Sequence, residues 1–124
     1  MGPDLAHETA SAALPILDLG HLARMTFGDQ QLQDEVLTLF ARQSAELLKQ
    51  MREATGPTIG TLAHRLAGSA SGVGAWQVAA ACRSIEEAGA IEVHSPLFAD
   101  LQIAVDDACS AIARLRRDNR VKGE

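Results

Sequence analysis

Apolar positions along the chain recur at helical spacing in four long stretches. From Asp29 to about Ala54 they fall at Leu32, Val36, Leu39, Phe40, Leu47 and Met51, the rhythm of a long amphipathic helix, and Gly56-Pro57 stops it. A second helix begins near Pro57, where a first-turn proline costs no hydrogen bond, and its stripe is Ile59, Leu62, Leu66 and Ala70. Gly72 and Gly74 interrupt that helix around Val73. A third then runs from Ala75 to about Ala88 and buries Val78, Ala79, Cys82 and Ile85. Ser95-Pro96 opens a last helix with Leu97, Leu101, Ala104, Val105, Ala108, Ile112 and Leu115 on one face, closed by Arg114, Arg116 and Arg117 as the helix dipole prefers.

A short helix precedes these four. Asp18 caps it, Leu19 and Leu22 point inward, and it ends after about Phe27 at Gly28. Residues 1–14 lack a sustained apolar stripe and read as a flexible arm with His7 facing solvent, so the folded unit is expected at 15–120. Each stripe must find a partner, and short loops favour antiparallel neighbours. The prediction is an all-α fold, an antiparallel up-down four-helix bundle with a short N-terminal helix.

Composition agrees with the periodicity. Among 124 residues there are 22 alanines and 15 leucines against one Trp, no Tyr and three Phe, so helix formers dominate and strand formers are sparse. The formal net charge of −5 repels phosphate backbones, and few aromatic rings are available for base stacking, which argues against nucleic acid as a partner. No run of 18 apolar residues and no signal peptide stands out, and the two cysteines, Cys82 and Cys109, sit in helical apolar patterns. A reduced, cytoplasmic protein with both thiols in its core is expected.

One stretch, from Thr61 to Ala75, departs from local propensity. At about 100° per residue His64 lies some 200° from Leu62, away from the core stripe. Its neighbours on that face are Gly60 one turn before, Gly68 one turn after, and Ser71 beyond. A mid-helix glycine costs about 0.5–1 kcal/mol relative to alanine, so two of them flanking an exposed histidine need a reason. Spacing alone leaves two readings open. The glycines clear the way for another protein's backbone to reach the imidazole, or Gly68 merely lets a helix pack and His64 is an ordinary surface residue.

Other chemistries fit less well. His64, His94, Cys82 and Cys109 show no ligand pair at helical spacing and no CxxC, which argues against a metal site. Gly68-Ser69-Ala70-Ser71-Gly72 places Ala70 where a nucleophile elbow needs serine, and Gly72-Val73-Gly74 lacks the third glycine of a dinucleotide loop. Glu86-Glu87 reads by itself as a solvated helix face. In a helical hairpin turning at 72–74, however, Glu86 can lie beside His64. A carboxylate accepting Nδ1–H would fix the tautomer, leave Nε2 as a nucleophile and support positive charge on the ring during attack. Trp76 has two readings, in a docking surface with the short helix or in the core.

With these residues in place, the segment Ala63-His64-Arg65-Leu66-Ala67-Gly68-Ser69-Ala70, continuing through Val73-Gly74-Ala75 to Cys82-Arg83-Ser84-Ile85-Glu86, resembles the histidine phosphotransfer (HPt) family of bacterial multistep phosphorelays. The family pattern is approximately A-H-x-L-K-G-S-A, then a G-A turn and a C-R-x-L-E helix. The resemblance implies that His64 accepts the phosphoryl group and that Glu86, where some members carry a glutamine, orients the imidazole. It makes Gly60, Ala67, Gly68 and Ser71 a clearance and docking face. The family's usual lysine three residues after the histidine is Ala67 here, so Arg65 or Arg83 is expected to meet the phosphoryl charge.

The implied function is relay of a phosphoryl group between the aspartate of a receiver domain and a second response regulator in two-component signalling, with a hybrid sensor histidine kinase upstream. Such a carrier has no turnover of its own. The resemblance further implies a monomer without cofactor, Mg²⁺ being supplied by the partner receiver. The alternative is a helical adaptor that binds a receiver or kinase domain without being phosphorylated, with Ala67 as its mark.

Overall fold

The computed structural model describes residues 14–122. They form five helices and no strand: α1 (Leu19–Met25), α2 (Gln30–Glu53), α3 (Gly56–Val73), α4 (Trp76–Ala88) and α5 (Pro96–Lys122). Helices α2 to α5 make the four-helix bundle, each packed on its neighbour in sequence, while α2 also packs on α5 and α1 lies against α3. The core is built from Phe40, Met51, Ile59, Leu66, Val78, Ile85, Phe98 and Leu101 among others, all at most 2% exposed.

Asp18 caps α1 as expected, and Asp29, the expected start of the long helix, caps α2. Asp18 Oδ1 accepts from the His21 amide at 3.0 Å, and Asp29 Oδ1 accepts from the Leu32 amide at 3.1 Å. Helix α3 runs through Gly72 and ends only at Gly74, whose φ of +81° is the left-handed conformation that favours glycine. The same glycine permits a close approach: the Asp18 amide donates to its carbonyl at 2.9 Å, and a Cβ there would stand 3.0 Å from the Asp18 carbonyl oxygen.

Asp18 joins the short helix to the bundle in a second way, because its Oδ2 accepts from Trp76 Nε1 at 2.8 Å. That hydrogen bond is the main reason the Asp18 carboxyl lies below the usual carboxylate range. Trp76 also meets the His21 ring edge-on at 5.0 Å. The indole is partly buried and holds α1 against the α3–α4 turn.

Several expectations are corrected. Leu19 is 54% exposed, and α1 ends at Met25, with Phe27 outside it at φ +55° and 92% exposed. On α2 the buried stripe is Leu37, Phe40, Ser44, Leu47, Leu48 and Met51, while Leu39 is 56% and Leu32 36% exposed. Leu39 lies about 200° around the helix from Leu37 and so faces away from α3 and α5. Ser44 is tolerated in the stripe because its hydroxyl donates to the Phe40 carbonyl at 2.7 Å. Helix α5 extends to Lys122, so Arg114, Arg116 and Arg117 do not form its last turn. Arg116 Nε instead donates to Asp34 Oδ1 at 2.7 Å, pinning α5 to the start of α2; a half-exposed pair of this kind contributes about 0–1 kcal/mol. The expected arm at 1–14, with His7, lies outside the described residues except for Leu14, whose carbonyl accepts from Gln77 Nε2 at 2.8 Å.

Candidate functional site

The α3–α4 hairpin brings the site together. Because the chain reverses at Gly74, a residue ten before the turn on α3 meets one twelve after it on α4. His64 Nδ1 and Glu86 Oε2 lie 2.7 Å apart, a short, charge-assisted distance. A carboxylate oxygen accepts, so Nδ1 carries a proton, and in the neutral ring the lone pair is then on Nε2. The imidazole is 78% exposed and the Glu86 side chain 31% exposed, which leaves Nε2 open to a partner.

Two open grooves flank the ring. One, of about 480 Å³, is lined by Pro57, Gly60, Thr61, Gly89 and Ala90 together with His64 and Glu86. The other, of about 430 Å³, runs from His64 over Ala67 and Gly68 to Ser71 on α3, with Arg83, Glu86 and Glu87 on its α4 wall. Gly60 belongs to the first groove, where a Cβ would meet nothing nearer than the Gly89 carbonyl oxygen at 3.9 Å. Gly68 is exposed, and a Cβ on it would have no neighbour within 4 Å. Among the described residues no helix packs on Gly68, which removes the packing explanation for that glycine.

The two candidate arginines differ. Arg83 lines the second groove, where its Nη2 donates to Ser71 Oγ at 3.1 Å. Arg65 is exposed, lines neither groove and has no side-chain hydrogen bond or ion pair among the described residues. Ala67, in the place of the expected lysine, forms part of the groove floor and is only 7% exposed. Glu87, read from the sequence as part of a solvated helix face, is exposed and shares the groove wall.

Beneath Glu86, one turn back on α4, Cys82 is fully buried. Burial, and secondarily the Glu86 charge, pushes its thiol up to about 12. The unfolded thiol therefore loses its proton first, and the native state binds more protons across the window between an ordinary thiol pKa of about 8.5 and about 12. Stability is expected to fall as pH rises through that window. Chemical denaturation at pH 8 and pH 10.5 checks this, with a shallower fall in Cys82→Ala.

Residues 35–114, well over half of the chain, match the family model described as Hpt domain. The fold is similar to the crystal structure of the histidine phosphotransferase ShpA from Caulobacter crescentus, with a TM-score of 0.71 and 28% sequence identity over 88% of this chain and 98% of that one. A search of curated proteins found no match. The chain belongs to the Hpt domain family, and its role is that of a phosphorelay carrier.

Proposed function

We propose that His64 Nε2 accepts the phosphoryl group from the aspartyl phosphate of a receiver domain and passes it to the aspartate of a second response regulator, with a hybrid sensor histidine kinase upstream. The observation that carries this reading is the 2.7 Å contact between His64 Nδ1 and Glu86 Oε2 on an otherwise exposed ring. In the forward step the Nε2 lone pair forms the N–P bond as the acyl P–O bond breaks, and the electron pair leaves on the receiver's carboxylate. The Nδ1 proton stays on the ring, where the Glu86 carboxylate faces the positive charge that develops there. No base is needed, because neutral Nε2 has no proton to lose. The reverse step uses the same geometry.

Transfer of this kind passes through a loose transition state with charge spread over the equatorial oxygens, so positioning and electrostatics dominate. On this chain Arg83 is the cation in the groove beside His64. Among the described residues no three His, Cys, Asp or Glu side chains gather as a metal site, and we assign the divalent cation that neutralises phosphoryl charge to the receiver. We place the protein in the cytoplasm as a monomer; none of its described helices is long and apolar enough to cross a membrane.

Incubation with phosphorylated receivers tests the reading. The expected product is an acid-labile, alkali-stable phosphoryl adduct on this chain, formed without nucleotide. No adduct from a panel of phosphorylated receivers would leave the adaptor reading, to which Ala67 already points, as the better one. Glu86 has its own expected outcome. Losing a charged hydrogen bond is worth about 1.5–3 kcal/mol, and partial exposure reduces that, so Glu86→Ala is expected to slow transfer about tenfold or more. Glu86→Gln keeps an acceptor for Nδ1–H and should recover most of the rate. Equal initial rates for Glu86→Ala and wild type would contradict the assigned role.

A further inference from the structure

Arg83 stands three residues before Glu86 and four before Glu87 on α4, spacings at which an arginine and a glutamate on one helix commonly pair. Among the described residues neither pair forms. The guanidinium instead crosses to α3 and donates from Nη2 to the Ser71 hydroxyl at 3.1 Å. That bond uses one of the five N–H donors of the guanidinium fork. Ser71 is seven residues, two turns, beyond His64, so both project from one face of α3 about 10.5 Å apart along its axis. Between them lies Gly68, with no side chain above the groove, and the floor there is the buried methyl of Ala67. His64, Arg83 and Ser71 thus border one open lane.

We propose that Ser71 is a positioning residue that holds the Arg83 guanidinium over this lane, away from Glu86 and Glu87, so that it turns onto the phosphoryl oxygens at His64. The inference rests on the relay reading above and names how this chain meets phosphoryl charge with alanine at position 67. The hydroxyl does this because it is a neutral acceptor: it competes with the carboxylates for the arginine, yet gives way to a doubly charged phosphoryl group, the better partner for a fork of N–H donors. It also protects the His64–Glu86 pair. An arginine that fell onto Glu86 would compete with Nδ1–H for the same carboxylate. The transfer step is unchanged: N–P forms, acyl P–O breaks, and Arg83 takes up neither proton nor electron pair.

The test is single-turnover transfer from a phosphorylated receiver to the full chain, measured across receiver concentration for wild type, Ser71→Ala, Ser71→Thr, Arg83→Ala and the Ser71→Ala/Arg83→Ala double variant. Arg83→Ala is expected to lower the saturating rate about tenfold and Ser71→Ala about threefold to tenfold, each with little change in the half-saturating receiver concentration. Ser71→Thr, which keeps the hydroxyl, recovers the wild-type rate, and the double variant is no slower than Arg83→Ala alone. Ser71→Ala at the wild-type rate, or further slowing when it is added to Arg83→Ala, overturns the proposal while the relay reading stands. Absence of any transfer to the wild-type chain overturns both.

Discussion

Replacing His64 with glutamine is expected to remove phosphoryl uptake altogether while leaving the fold intact. The imidazole is 78% exposed and among the described residues its only polar contact is with Glu86, so little packing is lost. A glutamine amide can still donate to that carboxylate, which spares Glu86 an unpaired position, but it offers no ring nitrogen with a lone pair in the plane of attack. Surface substitutions of this type change stability by about 0.5 kcal/mol or less. The measurements are phosphoryl incorporation from a phosphorylated receiver and a thermal melt. The variant should show background incorporation and a wild-type melt, and receiver binding should persist, because His64 is a small part of the contacting face. An adduct that survives in His64→Gln would move the chemistry to another residue.

The second large effect runs in opposite directions for stability and transfer. A Cβ at Gly68 has no neighbour within 4 Å, and the position is mid-helix. Alanine there should stabilise the protein by about 0.5–1 kcal/mol, because a glycine in a helix interior costs that much. Leucine is also a good helix former, yet its side chain would stand in the lane beside His64 across which a partner's reacting aspartate is proposed to approach. Displacing a reacting group by about 1 Å can cost a hundredfold in rate, so Gly68→Leu is expected to slow transfer at least that much, with Gly68→Ala between it and wild type. Denaturant melts and transfer rates on the same samples check both signs. Gly68→Leu transferring at the wild-type rate would show that no partner approaches across this glycine.

Much of this arrangement was legible from residue spacing. Asp18, Asp29, Gly74 and Ser95-Pro96 carry conformational chemistry that acts locally, so the helix limits near them followed with small shifts at Phe27 and Gly72, whereas the end of α5, which has no such stop signal, lies beyond Arg117 at Lys122. The meeting of His64 and Glu86 followed from counting outward from a tight helical hairpin, since two antiparallel helices advance by the same rise per residue. What local pattern could not decide was rotation. Leu37 beside Leu39, and Leu47 beside Leu48, admit two phases of the α2 stripe, and only packing against α3 and α5 selects the one that buries Leu37 and exposes Leu39. Arg65 and Arg83 were equivalent as charges; the groove contains Arg83 because of how α4 is turned against α3. Contacts between distant residues, such as Trp76 with Asp18 and Arg116 with Asp34, carry no local signal.

We propose that Glu86 holds the proton of His64 on Nδ1 and leaves Nε2 to take the phosphoryl group. Phosphorylating the nitrogen-15-labelled protein with a phosphorylated receiver and reading the phosphorus–nitrogen coupling by NMR decides the point. Phosphorus is expected on Nε2 of His64, with Nδ1 still protonated. Phosphorus on Nδ1, or on any other residue, would contradict it.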